Sequence, residues 1–557
     1  MRIPALILVL AAFAFSGFGQ SNAKKNPPKT TTGVQRPKLV VGIVIDQMRW
    51  DYLYRFNNRF AANGGFKKML NQGFSCENTF IPYTPTITAC GHTCLYTGSV
   101  PGIHGITGNA WWDKQLGRSV YCTEDKTVKS VGTDNNLGEM SPRNMLTTTI
   151  CDELRLATNF EGKVIGVAVK DRGGILPAGH SANAAYWYDN RTGNWITSTY
   201  YMNELPDWVK KFNARKLVDS FYQKDWTTLY PIESYKQSQA DQQVYEGKPF
   251  GADQKGFPYN LKKYTGVNYA AIATTPFGNS LTIEMAKAAI EAEKLGADSV
   301  TDFLALSISS TDYIGHAFGP NSIEQEDDFL RLDLELGALF EHLDKNVGKG
   351  QYTVFLSADH AVAHVPGFSK EHKLPGGTIN DDQWVKDMAK PLEERFGHGN
   401  LIVSTYNYQV HLNHKRIDSL KVSKKDVQDF IVDWLEKQPA ISRVFAIDRM
   451  MEVPLNAKIR QMFANGYYPN RGGDIQFVLQ PGYIDGGATG TTHGAWNPYD
   501  SHIPLLWYGW GIKQGSTNRE VYMTDVASTL AALLHIQMPS GAVGTVIEEA
   551  ISVQSRF

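Results

Sequence analysis

The chain has 557 residues, 42% of them hydrophobic, and a formal net charge of -1. That length exceeds one simple core, and the apolar content excludes a disordered chain. The near-zero charge excludes bulk electrostatic attraction to nucleic acid or to an acidic membrane, so any anion site must be local.

The first residues, MRIPALILVLAAFAFSGFGQ, combine a positive start, a short apolar stretch and small residues near its end. This reads as a signal peptide over 1–19, cut between Gly19 and Ala23, and predicts a periplasmic or secreted protein. A Lys-, Pro- and Thr-rich leader occupies 20–36. No later apolar run is long enough for a membrane span.

The first part of the core is expected over 37–178. It opens with a strand from Leu39 to Ile45, followed by a helix over roughly Ala89–Tyr96 and a hairpin over Trp111–Cys122. The apolar run VIGVAV predicts a strand ending at Lys170. Over 179–275 the chain turns rich in Tyr, Trp, Gln and Lys, with a hairpin signal at Asp189–Gly193, and is expected to form a cap or insertion rather than core. Core returns over 276–379: a helix carrying Leu281, Met285, Ala288, Ala292 and Leu295, a strand running toward Asp312, a long helix with Leu332, Leu336, Leu339 and Leu343, and a strand reaching Asp359. An α+β insertion is expected over 380–484, and the core closes over 485–557. Nothing in the pattern asks for a partner chain, so the protein reads as a monomer.

There are five cysteines, an odd number, which permits one disulfide in an oxidising compartment without identifying it. Cys90 and Cys94 bracket His92 in a metal-like spacing, but on a helix they read better as small buried apolar residues.

Aspartate and histidine gather where apolar runs end: Asp46 after VVGIVI, Asp312 and His316 after FLALSISST, Asp359 and His360 after YTVFLSA, and His493 after a Gly/Thr-rich loop. A lone Asp at a strand end is ordinarily a turn former or helix cap. Several together, at the carboxyl ends of buried parallel-type strands, mark where ligands collect in α/β sheets. Asp312 and His316 are one helical turn apart and share a face. Mixed oxygen and nitrogen donors favour zinc over calcium or magnesium, so a two-zinc site is expected.

Two further segments suit an anion beside such metals. In YTPTITACGHTCLYTG a Thr hydroxyl at a helix start meets free N–H groups and the positive end of the dipole. Lys170, Asp171 and Arg172 form KDR after a strand. Read as extended, it sends Lys170 and Arg172 to one face, where two cations suit an anion with several free oxygens. Composition alone favours a solvated turn there. Asn109, in GITGNAW, either donates to such an anion or holds a turn.

The stretches VIDQMRWDYL, TPTITACGHTCLYTGSVPGIHGITGN, VAVKDRGG, SSTDYIGHAFGP, LSADHA and TTHGAWNPYD resemble the alkaline phosphatase superfamily. They are most similar to the phosphate-irrepressible alkaline phosphatases, whose core is like that of nucleotide pyrophosphatase/phosphodiesterases. The resemblance implies an α/β fold, a three-layer sandwich with a mostly parallel central sheet flanked by helices. It implies Thr88 as nucleophile, with Thr84 and Thr86 in the preceding loop. It also implies one zinc on Asp312, His316 and His493, a second on Asp46, Asp359, His360 and Thr88, and phosphoryl contacts from Asn109, Lys170 and Arg172.

The expected activity is hydrolysis of small phosphate monoesters through a phosphothreonine. A phosphodiesterase or nucleotide pyrophosphatase with the same metals is the alternative, and KDR favours the monoester because it has one more free oxygen than a diester. A sulfatase lacks support, since no Cys or Ser has the Pro and Arg spacing of its modified nucleophile. An inactive exported metal-binding protein would not need Thr88.

Overall fold

Buried apolar runs too short for core helices become adjacent parallel strands, and this organises the molecule. The computed structural model describes residues 34–552, so the expected signal peptide and most of the expected leader lie outside the described residues. In chain order the elements that build the site are β1 (Leu39–Ile45), β2 (Phe74–Phe80), α1 (Thr88–Thr97), β3 (Ala110–Asp113), β4 (Arg118–Tyr121), β5 (Val164–Ala168) and α2 (Asp171–Ala178). They continue with β6 (Ala184–Asp189), β7 (Asn194–Ser198), β8 (Asp302–Ile308), α3 (Ser310–Phe318), α4 (Ile323–Leu343) and β9 (Tyr352–Ser357).

An eleven-stranded sheet forms the centre. Its middle runs β9, β1, β8, β5, β6, all parallel, and every residue of these five strands is buried. Burial on both faces is why these segments are continuous apolar runs without alternation. Helices cover the faces, and one core cluster joins sheet residues such as Val41, Leu304 and Phe355 to helix residues such as Leu95, Leu336 and Phe340. The fold is therefore a mostly parallel sheet flanked by helices. An antiparallel strand, Leu505–Gly509, pairs with β9 and connects it to β2.

Register decides what meets at the top of the sheet. Ile45 pairs with Ile308, Val44 with Ser357, and Ala168 with Ser307. Four neighbouring strands therefore end together, and the residues just beyond them, Asp46, Asp312, Asp359 and Lys170, are delivered to one place.

Two expectations about the chain path are corrected. Residues 179–275 do not lie wholly outside the core, because β6 is parallel to β5 within the main sheet and β7 returns antiparallel beside it. Their Trp and Tyr side chains are buried and lack the aliphatic signature expected of a core strand. Strand β5 stops at Ala168, and KDR is the start of α2 rather than an extended segment. Gly173 N donates to Lys170 O, and Asp171 in the first helical turn accepts from the Tyr121 hydroxyl and from Thr123 Oγ1, so a helix start competes successfully with the strand.

Within 380–484 a four-stranded antiparallel sheet is built from β10 (Ile402–Tyr406), β11 (Gln409–Leu412), β12 (Ile441–Ala446) and β13 (Ile475–Leu479). It has its own apolar cluster, including Leu392, Val410, Ile431 and Phe477. All five cysteines are buried and free, so the permitted disulfide is absent. Among the described residues, no helix is long and apolar enough to cross a membrane.

Candidate active site

Asp46 and Asp359 arrive just past strand ends, and Asp312 arrives in the first turn of α3, which follows β8. Asp46 follows β1 with its backbone oxygen bonded by Thr311 Oγ1 at 2.6 Å. The next residue, Gln47, has φ 66°, in the left-handed region that non-glycine residues enter at a cost of about 1–2 kcal/mol. That conformation lets Gln47 N donate to Asp359 Oδ1 at 3.2 Å and its Nε2 donate to Asp312 Oδ1 at 2.6 Å. A β-carbon at Gly315 would collide with the Gln47 amide, so the glycine before His316 makes room for it.

Six of the seven expected metal-binding residues supply side chains that converge here, with the Thr88 hydroxyl beside them. Asp46, Asp359 and His360 offer ligand atoms within 4.8 Å of one another, as do Asp312, His360 and His493. The second set differs from the expected grouping: His360, whose ring stacks on that of His493 with centroids 3.4 Å apart, stands in it where His316 was expected. His316 adjoins through Asp312, its Nε2 3.1 Å from Asp312 Oδ1.

The donor set fits bound divalent metal. Each histidine presents Nδ1 to a backbone carbonyl: His316 to Thr491, His360 to Ala361, His493 to Thr86, at 2.8, 3.0 and 2.6 Å. With Nδ1 carrying the proton, each Nε2 lone pair faces the carboxylates, the arrangement in which imidazole binds zinc. Asp46 Oδ1 is buried and lacks a hydrogen-bond partner. Burial, then the neighbouring Asp312 and Asp359, pushes Asp46 well above the carboxylate range. Burial opposes the charge on Asp312, but His316 and Lys170 outweigh it and hold Asp312 low. Burial, then His360 and His316, lowers His493, favouring the neutral ligand form. Three carboxylates share this buried pocket with one ammonium, a charge balance that favours cations.

Thr88 is the first residue of α1 and is 1% exposed, with Oγ1 3.3 Å from His360 Nε2. A β-carbon at Gly91 would clash with the Asp359 carbonyl, so ACGH lets the helix start sit against the ligands. Asn109 Oδ1 accepts from Ala89 N at 3.1 Å, which leaves its Nδ2 hydrogens for a ligand. Lys170 Nζ donates to Asp46 Oδ2 at 2.6 Å and Asp312 Oδ2 at 2.5 Å. Arg172 Nη1 donates to the Tyr121 hydroxyl at 3.0 Å. Although KDR is not extended, Lys170 Nζ still reaches the pocket and lies 5.0 Å from the Tyr313 ring centroid.

Sequence reasoning missed three residues. His92, set aside with the cysteines, puts Nδ1 3.1 Å from Asp359 Oδ2 and 3.0 Å from Thr88 O, and Nε2 2.8 Å from Ser307 Oγ. Its place one turn after Thr88 was the available signal. Gln47 and Tyr121 gave none, since their partners are remote in the chain.

A family profile described as type I phosphodiesterase / nucleotide pyrophosphatase matches residues 40–500. The chain belongs to this family. Among relatives of similar sequence, alkaline phosphatase PhoV of Synechococcus elongatus is 51% identical over 99% of this chain and 100% of its own. Alkaline phosphatase PafA of Elizabethkingia meningoseptica is 51% identical over 94% of this chain and 96% of its own. The crystal structure of wild-type PafA matches with a TM-score of 0.91 at 50% identity, covering 93% of this chain and 100% of that one.

Proposed function

We propose that this chain is an exported, zinc-dependent alkaline phosphatase that hydrolyses small phosphate monoesters through a phosphothreonine at Thr88. The observation that carries the reading is the Thr88 hydroxyl, buried at a helix start and 3.3 Å from a histidine common to both ligand groups. A Thr hydroxyl is a weak nucleophile unless its surroundings favour the alkoxide. The start of α1 does so, and its N–H groups also suit a bound phosphoryl group.

Asp46, Asp359 and His360 would hold one zinc, and Asp312, His316 and His493 the other. When bound, such ions lower the pKa of the hydroxyl and of water and offset charge on the apical oxygens of an in-line displacement. Asn109 donates through Nδ2 to a nonbridging oxygen. Lys170, with three N–H donors and two of them given to carboxylates, keeps one for the same group. Arg172 supplies the planar fork that grips two oxygens.

The Thr88 oxygen attacks phosphorus, forming a P–O bond as the ester P–O bond breaks and the alcohol leaves. Water then attacks the phosphothreonine from the opposite side, releasing phosphate and restoring Thr88. A solved variant of the similar phosphatase PafA alters a Thr, an Asn, a Lys and an Arg together. The Thr-to-Asn and Lys-to-Arg separations in that set equal those of Thr88 to Asn109 and Lys170 to Arg172, which supports the role assignment.

The deciding experiment compares a phosphate monoester with its matched diester on protein stripped of metal and reloaded with zinc. Acid quench during monoester turnover should trap phosphate on Thr88, and Thr88→Ala should abolish the trapped species with zinc content unchanged. Faster turnover of the diester would replace this reading with a type I phosphodiesterase.

A further inference from the structure

The 380–484 insertion reaches the site through one two-residue turn. Asn407 and Tyr408 join β10 to β11, whose flanking residues Tyr406 and Gln409 pair, and both turn residues have φ 60°. Such a hairpin turn ordinarily takes Asn-Gly, because both positions must be left-handed. Asn tolerates this, whereas a bulky Tyr there costs about 1–2 kcal/mol. Strain kept at a functional site invites a search for what the side chains contact.

Each turn residue touches a segment that carries a site residue. Asn407 Nδ2 donates to Thr107 O at 3.2 Å and to Ala110 O at 3.3 Å, spanning the Gly108–Asn109 step between them. A β-carbon at Gly108 would strike the Asn407 amide. On the other side, the Tyr408 ring lies against Gly494, where an added β-carbon would be 2.9 Å from Cε2. Gly494 follows His493, and its N–H bonds Thr86 Oγ1 at 3.1 Å. The Tyr408 ring also meets Phe477 edge-on, with centroids 5.8 Å apart, so the turn is braced from within the insertion.

We propose that Asn407 is a positioning residue for Asn109. It clamps the carbonyls on both sides of Gly108–Asn109, while Asn109 Oδ1 is fixed to Ala89 N at the start of α1. Nδ2 of Asn109 is thereby held against the phosphoryl position beside Thr88. The insertion acts here as a brace for transition-state geometry, at a point where a small misplacement costs rate. The inference rests on Asn109 contacting the phosphoryl group, as proposed above.

The test uses Asn407→Gly, which keeps the turn conformation and removes the donor, and Asn407→Asp, which keeps the shape and presents acceptors to both carbonyls. Each should lower kcat/KM for a phosphate monoester about tenfold. Each should raise the Kd for inorganic phosphate by a similar factor, with Tm and zinc content unchanged. In an Asn109→Ala background, neither should cost more than about twofold, because coupled residues are non-additive. Wild-type turnover and phosphate affinity in Asn407→Gly would overturn the inference, as would a loss undiminished without Asn109. A loss that follows a lowered Tm would also overturn it, by reducing Asn407 to a structural role. If Asn109→Ala alone leaves turnover intact, the phosphoryl role of Asn109 fails and this inference falls with it. A normal Asn109→Ala loss with an unaffected Asn407→Gly sinks the inference alone.

Discussion

His360 stacks face to face on His493, with ring centroids 3.4 Å apart, and through this contact it belongs to both ligand groups. His360 is fully buried, whereas the His316 side chain is 35% exposed and reaches the cluster through Asp312. The two histidines therefore differ in consequence. His360→Ala should lose zinc from both groups, while His316→Ala retains the ion beside Thr88. Metal content after dialysis against a weak chelator decides it, and equal losses in the two variants would contradict the shared position of His360.

His92 touches no expected phosphoryl position, yet its Nδ1 lies near both Asp359 Oδ2 and the Thr88 carbonyl. Partners of metal ligands typically contribute 10–100-fold in affinity or activity. His92→Phe is expected to weaken zinc binding by about that factor and to leave the far-UV spectrum unchanged. A zinc titration with unaltered affinity would reduce His92 to packing.

The contrast between His92 and Asp46 explains how much of the site was legible in the chain. Asp46 and Asp359 each end an apolar run and Asp312 follows one in the first turn of the next helix, and a buried parallel strand has few other ways to read. Strand ends in register then put them together without further information. His92 lies on a helix whose ten residues are all buried, so no polar face distinguishes it, and its partner Asp359 is remote in sequence. Strands β6 and β7 were obscured because aromatic side chains fill their buried positions. KDR was misread for a local reason: the strand-like pattern continues to Lys170, but Asp171 suits a first helical turn and accepts from Tyr121 and Thr123.

Arg172 depends on Tyr121, whose hydroxyl accepts from Nη1 at 3.0 Å and donates to Asp171 Oδ1 at 2.9 Å. Removing that hydroxyl leaves the guanidinium charged but less well aimed. A hydrogen bond to a charged group is worth about 1.5 kcal/mol or more, so Tyr121→Phe is expected to lower monoester kcat/KM about tenfold. The matched diester, with one fewer oxygen to grip, should fall less. Equal losses on both substrates, or an unchanged loss in an Arg172→Ala background, would show that Tyr121 does not act through Arg172.

Away from the proposed metal ligands, the stability of the fold depends on pH through two buried glutamates. Glu324 is fully buried at the start of α4, with Oε1 accepting from the Tyr259 hydroxyl at 2.5 Å and Oε2 without a partner. Burial, joined by the charges of Asp241 and Asp327, pushes it up to about 8 from an ordinary 4.5. Burial and Glu324 push Glu246 up to about 9. Both carboxyls are thus protonated in the fold over a range where the unfolded chain has released its protons. Their contribution is fully present below about pH 4.5 and declines as the pH rises toward 8 to 9, where the folded groups ionise. Glu324→Gln mimics the protonated form in the same shape. Its Tm should match wild type near pH 4.5 and exceed it at pH 9. Parallel Tm curves across that range would show that Glu324 does not hold its proton in the folded protein.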